Sequence, residues 1–518
     1  MKVVSSFLNS RYFWASFAVL AVFVYFFGLT VPLLGPDEPR YAQVAREMWQ
    51  RSDWVTPTLG GFHWFEKPAL LYWLQKTSYS IFGVSEFSAR FGSAIFGLGT
   101  VICAWILGKA AYGSNKTANT KPEPEKYLAL VAASALGLIV FSRGASFDII
   151  LTFPIAAAMT GFFVFDRAGN GEIQRIWGLA AFYFFIGVAV LAKGLVGFVF
   201  PFAIVGFYHV LRWRSPSKAL LLSPAWGLPL AMAVAASWYL PMYLRHGWEF
   251  IDEFFVQHHF QRYTSNKYRH PQPFHFFFWV LPLMTIPWLP FFLAELWRTL
   301  KAFVPRKQRE FQDGSDEPGT GLETGGSAMA RSPLAIFAFA WMSVPLVFFS
   351  FSGSKLPGYI LPAVPPALIL AGLAAYRFSL GSELRAASVK ALALVTLVVI
   401  VIVIQFALPH FAKKDSVKDL ISAADRRVPP STPVAGFMTI SHNAEFYAAG
   451  RLLRFPDGTQ KRLNDVEEVA AFLGTSVDRE LLVILRREHV HFLRSSPLLT
   501  CEIIAESGEY AIAVVRML

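Results

Sequence analysis

Residues 35–48 read GPDEPRYAQVAREM and set Asp37 and Glu38 directly behind an apolar run, while a second acid and base, Glu66 and Lys67, follow in FHWFEKPALLYW (62–73). Carboxylates can orient or deprotonate a nucleophile, and lysine or arginine can receive an anionic leaving group. The same residue types recur further on: Arg143 and Asp148 in SRGASFD, Lys193 in AKG, His258, His259 and Arg262 in QHHFQRY, and Lys355 and Tyr359 in FSGSKLPGYILP. Each has a plain alternative. An Asp at this boundary can be a helix cap, Lys193 and Lys355 can snorkel from helix ends, the histidines can be satisfied loop residues, and Arg143 can pair locally with Asp148.

The elements that must position these residues follow from composition. Of 518 residues, 54% are hydrophobic and 16% charged, more apolar surface than one soluble core could hide. The chain reads as a polytopic α-helical membrane protein. Runs near the ~20 residues that cross a bilayer are 12–34, 86–112, 127–143, 149–165, 176–192, 194–211, 220–243, 274–296, 333–352, 359–376 and 389–408, eleven spans in all. The first lacks a small-residue cleavage site and reads as retained.

Lysines and arginines orient the bundle, because short inner loops are enriched in them. With Lys2 and Arg11 inside, the loops 113–126, 166–175, 212–219 and 297–332 also fall inside, and the net charge of +12 becomes a matter of topology with no need for nucleic acid. The same orientation sends the loop 35–85, Arg143, Asp148, Lys193, His258, His259, Arg262, Lys355 and Tyr359 to the outer face. Ionisable groups near lipid are costly and tend to mark a site. Snorkelling would favour the other side.

Residues 1–408 thus form the membrane domain and 409–518 a small extracytoplasmic α/β domain. In the latter, SVKDLISAADRRV and DVEEVAAFL are expected helices, PVAGFM and LLVIL strands, and CEIIAES with YAIAVVRM a closing hairpin. Cys103 and Cys501 lie in a span and in this outer domain, so neither a disulfide framework nor a cysteine metal site is on offer.

DEPRYAQVAREM, FEKPALLYW, SFDIILTFP, AKG, HHFQRY and SGSKLPGYILP together resemble, in order and spacing, the bacterial lipid A aminoarabinose transferases of the wider protein O-mannosyltransferase-like group of GT-C glycosyltransferases. The resemblance covers roughly residues 12–376. The chain departs from it in carrying His258 where those enzymes commonly carry Glu, and in having eleven spans instead of thirteen. The resemblance implies a polyprenyl-phosphate-linked sugar donor whose head group enters a cavity on the outer face, and an acceptor that is lipid A or another envelope glycan or lipid. No nucleotide cofactor is needed, and neither GxGxxG after a strand nor a Walker A sequence occurs. It implies Asp37 as the catalytic carboxylate with Asp148 the second, and Lys67, Arg262, Lys193, Lys355 and Tyr359 around the donor phosphate. A divalent cation such as zinc, held by Glu66, His259 and His410, is a further expectation. The alternatives are a protein O-mannosyltransferase, which differs in acceptor, and a flippase or transporter, for which midplane polar groups and internal repeats would speak.

Overall fold

A computed structural model describes residues 8, 10, 12–113, 123–169, 171–260, 271–303, 332–476 and 479–518. Among the described residues eight helices are long and apolar enough to cross a membrane, and the pair Pro124–Ala133 and Leu136–Ser142, bent by 58°, makes a ninth if it is one span. The other two expected spans are helical but shorter or broken. The first is the helix Tyr12–Phe26, and the segment from 274 divides into Phe276–Met284 and Leu289–Phe303.

Helix starts follow local chemistry. Ser85 and Ser146 accept backbone N–H bonds from Ser88 and Asp148, capping Glu86–Tyr112 and Phe147–Arg167. Phe147–Arg167 is the more enclosed of the two, and Gly161 lies so near the Gly178 carbonyl of the helix Glu172–Lys193 that a Cβ there would be 2.7 Å from it. These two helices therefore meet backbone to backbone. At the end of the bundle away from Asp148, Glu295 is fully buried against Arg377 in a two-pronged ion pair.

The loop between the first two long apolar segments builds its own platform. It holds the amphipathic helix Asp37–Gln50, strands β1 (Thr58–Leu59) and β2 (Phe62–His63) paired antiparallel, and the helix Leu70–Phe82. Glu47 organises the hairpin: its carboxylate accepts from Thr58 Oγ1 at 2.6 Å and from the Gly60 and Gly61 N–H groups at 2.6 and 3.2 Å.

The carboxyl-terminal domain, expected on the outer face and called the outer domain for that reason, holds a five-stranded sheet, with β3 (Val434–Phe437), β4 (Arg462–Leu463), β5 (Glu480–Arg486), β6 (Leu499–Ser507) and β7 (Tyr510–Met517) in the order β4-β3-β5-β7-β6. The β3 and β5 strands are parallel and buried, as continuous apolar runs require, and β6 and β7 form the expected hairpin. Alternate residues feed two cores: Val434, Leu482 and Ile484 under the helix Lys418–Ala424, and Ala435, Leu481 and Val483 under Val466–Thr475. The boundary differs from the one expected at 409. Pro409 follows closely on a π-helical turn, Val403–Ala407, and the helical rod from Glu383 runs on through it to Lys414, while the domain core begins at Val417.

Candidate active site

Asp148 lies in the first turn of Phe147–Arg167 and Lys193 in the last turn of Glu172–Lys193, and each charge suits the helix end that carries it. Their side chains form an ion pair of 2.6 Å. Gly194 makes this possible: its φ of 66° ends one helix and starts the next within a single residue, a conformation that favours glycine. The Lys193 ammonium also sits 4.8 Å from the centre of the Tyr359 ring. Beside Tyr359, Gly358 backs onto the carboxylate so tightly that a Cβ would lie 1.9 Å from Asp148 Oδ2. Three motifs far apart in sequence thus meet at one point.

The first loop supplies the second group. The helix Asp37–Gln50 is capped by Pro36 with no side-chain bond, so Asp37 does not act as a cap. Its side chain is 54% exposed and stands 3.8 Å from Arg40, whose guanidinium lies 5.3 Å over the Trp64 ring. Glu66 and Lys67 are paired at 2.8 Å. Burial first, and then the Glu66 charge, push the Tyr72 phenol well above its ordinary value. Tyr72 and Tyr41 both pack edge-on against Phe147, at 5.5 and 4.9 Å, and so join this group to the residue before Asp148.

Glu38 fixes the loop. It accepts from Arg90 Nε at 3.0 Å and Nη2 at 2.6 Å, and from the Leu34 and Ala145 N–H groups, each at 2.7 Å. Burial opposes its charge, yet Arg90 and the two N–H donors outweigh that and hold its carboxyl below the ordinary value. One side chain therefore ties the Asp37 loop to the turn that precedes Asp148. The motif DE contained this residue, but its role depends on Arg90, which no motif marked.

The outer domain docks on the same loop. Its short helix Ala444–Tyr447 lies against Asp37–Gln50, with Arg46 donating to the Phe446 carbonyl at 2.7 Å. Tyr447 donates to Glu86 at 3.0 Å and accepts from the Leu33 N–H at 3.0 Å, and Lys418 pairs with Glu86 at 2.7 Å. Just before this helix, His442 is open to solvent, and its imidazole is pushed down by desolvation first and Arg40 second, with Glu445 and Asp37 opposing.

Other expectations are redistributed. Lys355 is buried and donates to the carbonyls of Ser352 at 2.6 Å and Gln272 at 3.1 Å, so it clasps the loop that leads to Tyr359, a structural use of two of its three N–H groups. Arg143 donates to the Val24 carbonyl at 2.6 Å while Asp148 takes Lys193, which replaces the local Arg143–Asp148 pair. Arg262 and the side chains of His258 and His259 lie outside the described residues. Of the metal set, Glu66 is engaged by Lys67, and His410 is exposed on its helix with its ring 6.2 Å from that of Phe411. Among the described residues no three of His, Cys, Asp and Glu come together in a way that would hold a metal ion.

Residues 10–255 match the family described as dolichyl-phosphate-mannose-protein mannosyltransferase. The chain superimposes on the crystal structure of ArnT from Cupriavidus metallidurans bound to undecaprenyl phosphate, with a TM-score of 0.78 and 22% identity, covering 96% of this chain and 97% of the other. The chain has the GT-C fold. In sequence it is similar to the undecaprenyl phosphate-alpha-4-amino-4-deoxy-L-arabinose arabinosyl transferases of Serratia proteamaculans, 29% identical over 378 residues, and Aeromonas hydrophila, 30% over 376. Each alignment takes in 71% of this chain but only 60% and 61% of the relative. A GT-C fold also relates it to the archaeal oligosaccharyltransferase AglB of Archaeoglobus fulgidus, at a TM-score of 0.54 and 12% identity, over 92% of this chain and 70% of the other.

Proposed function

We propose that the chain is an integral membrane glycosyltransferase that moves a sugar from a polyprenyl-phosphate donor to an acceptor, lipid A or another envelope glycan or lipid, at the outer face of the bacterial inner membrane. The observation that carries this reading is the convergence of Asp148, Lys193 and Tyr359 beside the loop of Asp37, Arg40, Glu66 and Lys67 at one end of an apolar bundle. The similarity to undecaprenyl-phosphate-dependent transferases supports it.

The chemistry is a substitution at the anomeric carbon. An acceptor oxygen forms the new bond, the bond from that carbon to the phosphate oxygen breaks, and polyprenyl phosphate leaves. Asp37, exposed and only loosely paired, takes the acceptor proton or orients the acceptor. Lys193, Lys67 and Arg262 receive the phosphate charge, with the Tyr359 ring steadying the Lys193 ammonium. Lys193 and Lys67 are already held in place by Asp148 and Glu66, so the donor phosphate meets cations whose positions are set before it arrives. Lys355 holds the loop.

The test is sugar transfer in proteoliposomes, with a polyprenyl-phosphate-linked aminoarabinose and lipid A supplied together. Release of polyprenyl phosphate that depends on Asp37 and on the acceptor supports the reading. Movement of the intact donor across the bilayer without cleavage would replace it with the flippase. A polypeptide hydroxyl as the acceptor in place of the lipid would make it a protein O-mannosyltransferase.

A further inference from the structure

Arg143 stands in the turn between Leu136–Ser142 and Phe147–Arg167, at the end of the bundle that carries Asp148. Its Nη1 donates to the Val24 carbonyl at 2.6 Å, and among the described residues its guanidinium makes no other hydrogen bond. The carboxylates nearest this turn are taken. Glu38, which reaches the turn through the Ala145 N–H, is held by Arg90, and Asp148 is held by Lys193. A guanidinium is a fork of N–H donors that stays charged, and beside lipid it is costly to keep without a counter-ion. Among the described residues the chain supplies none.

Apolar elements meet around this cation. Val24 and Gly28 belong to the end of Tyr12–Phe26 and the turn behind it. Gly28 has a φ of 69°, and a Cβ there would lie 2.5 Å from Ile404 Cγ2 and 3.5 Å from Arg143 Nη2, so the guanidinium lies where the first helix touches the rod Glu383–Lys414. Ile404 is in the π-helical turn Val403–Ala407, an irregularity common at functional sites. The junction lies on the outside of the bundle. Val140, one turn before Arg143, is 54% exposed, and Val403 and Phe406, on the same π-helical turn as Ile404, are 50% and 74% exposed. Arg143 itself is half-buried, and its remaining N–H groups are not sealed in. It closes an apolar run that ends at the membrane boundary, which is the depth of lipid headgroups.

We propose that Arg143 is a phospholipid site: its free N–H groups grip the headgroup phosphate of a membrane lipid whose chains lie along Val140, Val403 and Phe406. Phosphate oxygens match the planar fork of arginine, and a lipid brings its phosphate to this depth without leaving the bilayer. The bound lipid then ties the first helix, the rod and the turn before Asp148 together from outside. The inference is independent of the transferase reading.

The experiment uses full-length protein in detergent and native mass spectrometry, with phosphatidylglycerol offered against the diacylglycerol of the same chains, which lacks the phosphate. Wild type should retain phosphatidylglycerol about tenfold more tightly, the scale of hydrogen bonds to a charged group. Arg426→Met, which removes an exposed arginine of the outer domain, should behave as wild type. Arg143→Met should lose the preference, and Arg143→Lys should keep part of it, since an ammonium has the charge without the fork. Val140→Glu sets a carboxylate one turn before the guanidinium. It leaves the bond to Val24 in place and should close the site, so it decides the matter even where Arg143→Met does not fold. A wild type that holds both lipids alike, or a preference that survives Arg143→Met or Val140→Glu, overturns the proposal. Displacement of the lipid by inorganic phosphate would assign the cation to a free anion and overturn it as well.

Discussion

Glu38 and Arg90, 52 residues apart, are joined by two parallel hydrogen bonds in an almost solvent-free setting, with side-chain exposures of 13% and 4%. The pair links the start of a surface helix to the second span. Because Arg90 also donates to the carbonyls of Leu29 at 3.0 Å and Pro32 at 3.1 Å, the whole entry to the Asp37 loop hangs on it.

Arg90→Met should therefore cost roughly 3–5 kcal/mol, since it strands a buried carboxylate. Pairing it with Glu38→Gln should recover part of that loss. The Glu38 carboxyl is held below its ordinary 4.5, so its stabilisation is present above that pH and lost as pH falls through the lower folded value. Thermal melts in detergent should show wild type weakening steeply on such acidification and the double variant less so. Equal acid sensitivity in the two would refute the assignment.

Asp37→Asn should fold as wild type, because the helix it begins is capped without its side chain. Sugar transfer should nevertheless fall by about 100-fold or more, as for a positioned base. A stable Asp37→Asn protein with full activity would pass the role to Asp148.

The Asp148–Lys193 pair should behave as a unit. Asp148→Asn and Lys193→Met should each lower transfer, and the double variant should lose less than the product of the two, the non-additivity of groups in direct contact. Fully multiplicative losses in the kinetic cycle would mean that the two act independently.

Gly358→Ala adds one carbon at a place with no room for it, 1.9 Å from Asp148 Oδ2. We expect transfer to fall at least as far as in Asp148→Asn, because the carboxylate must leave Lys193 to make way. Full turnover by this variant would show that the carboxylate need not sit where it does.

Orientation can be read by cysteine labelling of intact cells in a Cys501→Ser background, which leaves the buried Cys103 as the remaining native thiol. Ser431→Cys, in the outer domain, should react with an impermeant reagent, while Ser215→Cys, on the Arg- and Lys-bearing loop 212–219, should not. The opposite pattern would turn the site toward the cytoplasm.

Among the described residues hydropathy marked the helices long and apolar enough to cross a membrane, and the Lys and Arg pattern grouped the reactive residues together, because partition into a bilayer and charge retention act on short stretches of chain. Short apolar runs likewise marked β3 and β5, which lie inside the sheet, and two successive β-type runs marked the β6–β7 hairpin. Which charge meets which was another matter. Lys193 and Lys355 look alike in sequence, each just past an apolar run, yet one faces Asp148 and the other is spent on two backbone carbonyls. Asp148 had Arg143 nearer in sequence but took Lys193, 45 residues on. These choices depend on how far each helix is rotated and how closely backbones approach, as at Gly358 and Gly161. Only the packed bundle, and the outer domain clamped onto it through Tyr447 and Glu86, decides them.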